Sequence, residues 1–193
     1  MPGIGHRAGL GGIAWLLAAA GAAADPTVTE SIFYYEVSGA TSQEVRRELN
    51  RLGPFDTQGR HFDALARWFV RWRFNHAHSG QRCTITTVAT AAEVAIQFPR
   101  LKETPETPEP LKRAFAEFTT KLLMHERNHG GNAIDTAKSV EAGIRALPPQ
   151  AKCADLERTG QELAQSLVKK ANQWDRDYDE RTRHGATEGV RFP

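Results

Sequence analysis

The sequence predicts an α+β fold in which a small antiparallel sheet packs on a long antiparallel helical hairpin. Three observations carry that expectation. Apolar and polar residues alternate clearly from Ala66 to Asn75. A polar spacer punctuated by proline, ETPETPEP at Glu103 to Pro110, then interrupts the pattern, and beyond it apolar residues recur at steps of three and four. Alternation is the signature of a half-buried strand, and steps of three and four mark one face of a helix.

In chain order, Met1 to Ala24 reads as a secretory signal to be cleaved. It has a short start carrying His6 and Arg7, an apolar run from Leu10 to Ala20, and the small-residue end Ala22-Ala23-Ala24. The apolar run is shorter than the roughly 20 residues that span a bilayer. The mature chain, residues 25–193, is then expected in a secreted or periplasmic compartment, with no stable membrane insertion. Cys83 and Cys153 fit that setting and are expected to form a disulfide. Neither lies in a CxxC arrangement, which argues against redox catalysis.

Val28 to Val37 (VTESIFYYEV) is rich in β-branched and aromatic residues and reads as a strand. Thr41-Ser42-Gln43-Glu44 offers a Thr-x-x-Glu capping box, opening a helix that ends near Leu52 because Gly53-Pro54 follows. Ala66, Trp68, Val70, Trp72 and Phe74 fall on one face of the next strand, opposite Arg67, Phe69, Arg71, Arg73 and Asn75. A turn near Ser79-Gly80 leads to its hairpin partner, Cys83 to Ala89, with Val94 to Phe98 as a short continuation. After the spacer, Leu111, Phe115, Phe118, Leu122, His125, His129, Ala133, Ala137, Val140, Ile144 and Leu147 form the stripe of one long helix, which stops before Pro148-Pro149. A second stripe, Leu156, Leu163, Leu167, Ala171, Trp174 and Tyr178, follows a tight connection, so the two helices should lie antiparallel. The tail from Asp179 reads as irregular. No internal repeat is present, and 193 residues suffice for a single domain with a sizeable core.

The charges nearly balance, with 25 Lys plus Arg against 23 Asp plus Glu, so there is no basic field and no nucleic-acid partner is expected. The chemistry lies in His125-Glu126-Arg127-Asn128-His129, an HExxH sequence. Histidines at i and i+4 stand one above the other on a helix, close enough to share one Zn2+. Both occupy the apolar stripe, where two buried imidazoles need a common partner. Glu126 lies about 100° around the helix from His125 and is the expected general base for a water-driven hydrolysis.

A catalytic zinc wants a third protein ligand and an open position. The helical hairpin brings the end of the second helix past the histidines, and there His184 and Asp179 are the candidates, in that order. Tyr178, although it continues the apolar stripe, is a candidate oxyanion donor. His76 and His78 share a strand face but sit beside the Ser79-Gly80 turn, and are read as surface residues.

The sequence resembles the bacterial domain of unknown function 922 family, described as predicted secreted zinc-dependent proteases. It does so through YYEVSG at Tyr34 to Gly39, RRELNRLGP at Arg46 to Pro54 and RWFVRWRF at Arg67 to Phe74. Cys83, HERNH, Cys153, the tail pattern YDERTRHG and the final RFP continue it. The resemblance implies a zincin-like peptidase acting on a peptide or protein substrate, and it makes the tail part of the site. Two other readings use the same residues: a zinc amidase acting on cell-wall peptides, and a non-catalytic protein that retains the metal for structure.

Overall fold

A computed structural model of the chain describes residues 25–193; the segment read as a secretory signal lies outside them. The elements are β1 (Thr27–Val37), α1 (Ser42–Leu52), β2 (Leu65–Ser79), β3 (Arg82–Leu101), α2 (Glu109–Arg145) and α3 (Cys153–Thr182), then a 3₁₀ turn, η1, at Ala186–Glu188. The α+β class is as expected. No described helix is long and apolar enough to cross a membrane.

The sheet departs from expectation. Its order is β1-β3-β2, with β3 antiparallel to β2 but parallel to β1, so it is mixed rather than antiparallel. The physical reason lies in β3. Residues 83–89 and 94–98, read as a strand and a separate continuation, form one 20-residue strand. Between Thr84 and Phe98 it carries a single charged residue, Glu93, whereas β1 carries Glu30 and Glu36 and β2 carries Arg67, Arg71 and Arg73. The sparsely charged strand takes the centre and the charged strands take the edges, where side chains reach water and discourage further pairing.

The alternation on β2 behaves as read: Ala66, Trp68, Val70, Trp72 and Phe74 pack inward against the core clusters, while Phe69 faces out at 61% exposure. Near the hairpin end the register shifts, Asn75 pairing with Thr87 but His76 with Ile85. That bulge leaves Thr86 unpaired and moves Ile85 and Cys83 to the inner face, as bulges re-aim side chains. There Cys83 is joined to Cys153, at the first position of α3, by a disulfide.

Thr41 caps α1, accepting from the Glu44 N–H while the Glu44 carboxylate accepts from the Thr41 N–H, so the capping box forms as predicted. α2 runs for 37 residues, and the stripe from Leu111 to Ile144 is buried throughout. It packs on the sheet, with Phe115 and Phe118 in one cluster and Val140 and Ile144 in another. α3 returns along α2, Gly143 facing Leu163, Asn132 bonding Ala171, and His125 meeting Asp179. The tail departs from expectation at its start, where residues 179–182 are helical. Beyond Thr182, Phe192 packs against both Phe115 and Phe118, with ring centroids 5.7 and 5.3 Å away. That anchor returns the last turn of chain to the middle of α2, where the histidines are.

Candidate metal centre

His125 and His129 sit on adjacent turns of α2 within the buried stripe. Their Nε2 atoms both lie 3.2 Å from a single oxygen, Oδ1 of Asp179. His125, His129 and Asp179 thus offer three donor atoms within 4.8 Å of one another, an arrangement that can hold a metal ion. Asp179 is presented by the last turn of α3, which the sequence alone assigns to an irregular tail. His184, ranked first as third ligand from sequence, stands outside this triplet. It is half-exposed, its Nδ1 is 3.6 Å from the other Asp179 oxygen, and its ring leans on Phe62. The reason is the chain reversal: Arg183 and His184 both take left-handed backbone angles at the helix end, turning His184 outward.

Each histidine is held from behind by a carboxylate. His125 Nδ1 is 2.9 Å from Glu188, and His129 Nδ1 is 2.9 Å from Asp175. Such partners fix the ring orientation and leave both Nε2 atoms facing Asp179. Asp175 also accepts from the Trp68 indole N–H at 2.7 Å and from Asn132 at 2.9 Å, which ties the site to β2. Glu188 reaches His125 because Gly185, at φ +79°, folds the tail over the imidazole; a Cβ there would meet Val190 at 2.6 Å and the ring at 3.2 Å. Asp175 and Glu188 were not among the candidates from sequence. Asp175 has a sequence signal, one helical turn before Asp179. Glu188 has none, because only the Phe192 anchor returns it to α2.

The electrostatics follow from this crowding. Burial opposes charge on His129, but the hydrogen bonds to Asp175 and Asp179 prevail and push it up to about 10. Burial likewise opposes a charged His125, which Asp179 and Glu188 nevertheless hold above its ordinary value. Burial favours a neutral Asp179, yet the two imidazoles keep it well below the usual carboxylate range. A cation bound here would compete with protons for the imidazole nitrogens.

Glu126 is buried beside the triplet, and desolvation raises its pKa against the pull of His129 and His125. One oxygen accepts the Ala66 N–H at 2.7 Å, from the outer edge of β2. Tyr178 is buried in another direction. Its hydroxyl accepts from Asn128 at 2.6 Å and donates to Glu188, and its ring stacks on His125 at 4.9 Å. Burial and Glu188 push the phenol up to about 12, so it stays a donor. Tyr178 does not line the cleft into which the triplet opens.

That cleft, of about 560 Å³, is walled by His125, Glu126, His129, Asp175 and Asp179 on one side and by Asp63, Ala64, Leu65 and Ala66 on the other. Arg46, Arg60, His61 and His184 reach it as well, with Arg46 paired to Asp63 and Arg60 to Asp56. His76 and His78, on the far part of β2, lie outside it.

A family model described as "Bacterial protein of unknown function (DUF922)" matches residues 32–185. Neither the curated proteins nor the solved structures contain a match to the chain.

Proposed function

The chain belongs to the DUF922 family of bacterial proteins, and from that premise and the site geometry we propose that it is an extracytoplasmic, zincin-like metallopeptidase. The observation that carries the reading is the convergence of the His125 and His129 Nε2 atoms on one Asp179 oxygen, with Glu126 buried alongside in an open cleft. The donor set suits zinc: two imidazoles and a carboxylate, each imidazole held by a further carboxylate. Asp179 replaces His184 as the preferred third ligand.

A zinc ion held by these three residues supplies a Lewis acid for the amide carbonyl and acidifies water. The chain's own residues do the rest. Glu126, with one oxygen pinned by Ala66 and a pKa lifted by burial, takes a proton from the attacking water and delivers it to the leaving amine. Ala64, Leu65 and Ala66 form the wall of the cleft facing the triplet, which suits an extended peptide laid along that wall. Tyr178 acts as a positioning residue, since its hydroxyl and ring are committed to Glu188 and His125. The disulfide accords with an oxidising compartment.

The test is a pair of variants assayed on a peptide library. Glu126→Gln should retain about one zinc per chain and lose hydrolysis, while His129→Ala should lose the zinc. A Glu126→Gln protein as active as wild type refutes the general-base role.

A further inference from the structure

A second set of metal-ligating side chains lies at the other end of the sheet, where the bulge of β3 turns Cys83 inward. His76, Cys83 and Cys153 each offer a donor atom, all within 4.8 Å of one another. Glu157 completes the set: its Oε2 is 3.5 Å from His76 Nε2, and it stands one turn along α3 from Cys153. With the sulfurs bonded to each other, neither is available as a thiolate. We infer that Cys83, Cys153, His76 and Glu157 form a redox-gated metal site, closed while the disulfide is intact and taking a thiophilic divalent cation such as zinc once the disulfide is reduced.

The balance is simple. A small dithiol breaks the Cys83–Cys153 bond by exchange, becoming a disulfide itself and leaving two protein thiols. Each thiol releases one proton as its sulfur binds the cation.

Three features keep the donors together after reduction. The Cα atoms of the cysteines are 5.1 Å apart, and a tetrahedral zinc with bonds near 2.3 Å separates two sulfurs by only about 3.8 Å. A backbone bridge independent of the disulfide joins the segments: Cys83 N–H donates to Gln150 at 2.7 Å, and Gln150 N–H donates to Cys83 at 3.0 Å. Cys153 opens α3, where the unpaired helix N–H groups favour a thiolate. Two sulfurs, an imidazole and a carboxylate make a four-donor set of the kind that closes structural zinc sites. The His125 site contains no sulfur, which makes the two sites spectroscopically distinct.

Cobalt(II) added to the full-length protein before and after reduction provides the test. The reduced protein should show a thiolate-to-cobalt charge-transfer band in the near ultraviolet and bind one more cobalt per chain than the oxidised protein. Cys83→Ser/Cys153→Ser should abolish the band. His76→Ala, a change on a partly exposed strand end, should weaken binding by more than the roughly 10- to 100-fold that loss of a mere supporting partner costs. Two free thiols by titration with no charge-transfer band overturn the inference. A band of equal affinity in His76→Ala also overturns it, because the cation then rests on the sulfurs alone.

Discussion

Replacing Asp175 with asparagine perturbs the metal centre without touching a donor atom. Asp175 accepts three hydrogen bonds: His129 Nδ1 and Asn132 on one oxygen, and the Trp68 indole on the other. In Asp175→Asn one of those oxygens becomes an NH₂ donor. Turned towards Trp68, it opposes the indole N–H; turned the other way, it opposes Asn132 and the His129 N–H. Either orientation leaves at least one donor unsatisfied, at a cost of about 1–3 kcal/mol. For a domain of this size that lowers the melting temperature by roughly 2–12 °C. Loss of the carboxylate behind His129 should also weaken zinc binding about 10- to 100-fold. Calorimetric melting and competition against a chromophoric chelator measure the two effects, with Asp177→Asn as the control because Asp177 is exposed and bonded only to Gln173. If Asp175→Asn matches that control in both assays, the Trp68–Asp175–His129 chain has no energetic role.

The raised His129 pKa gives the metal-free fold a pH dependence of definite sign. Its contribution is complete below 6.5 and is lost as pH rises towards about 10. In chelator, wild type should therefore lose melting temperature over that interval relative to His129→Asn, while zinc affinity rises because fewer protons must be displaced; parallel melting curves for the two proteins would contradict this. Removing the disulfide as Cys83→Ser/Cys153→Ser releases a loop with sequence separation 70, worth about 4 kcal/mol by chain entropy and readable as a lower denaturation midpoint. Gly160→Ala should destabilise by about 1–3 kcal/mol through overpacking, because its Cβ would meet the Phe74 ring at 2.6 Å. Gly131→Ala, with nothing within 4 Å, should instead stabilise α2 by about 1 kcal/mol, and equal melting temperatures for the two alanine variants would refute the packing assignment.

The sequence by itself determined whatever is local in origin. The capping box at Thr41 and Glu44 formed because both partners sit within one turn. The stripe from Leu111 to Ile144 placed His125 and His129 on the buried face, because helical period follows directly from residue spacing. The inward set on β2 was legible for the same reason. Only the tertiary structure decided which strands pair and in what direction, since alternation reports a buried face but not a neighbour, and β3 came to lie between two strands that precede it. It also decided that Asp179 rather than His184 meets the histidines. Residues 179–182 lack an apolar stripe to mark them as helix, yet packing carries α3 one turn further and the left-handed cap then throws His184 outward. Glu188 is the clearest case. Its place behind His125 depends on Phe192 burying itself against Phe115 and Phe118, a contact across more than seventy residues that no local pattern encodes.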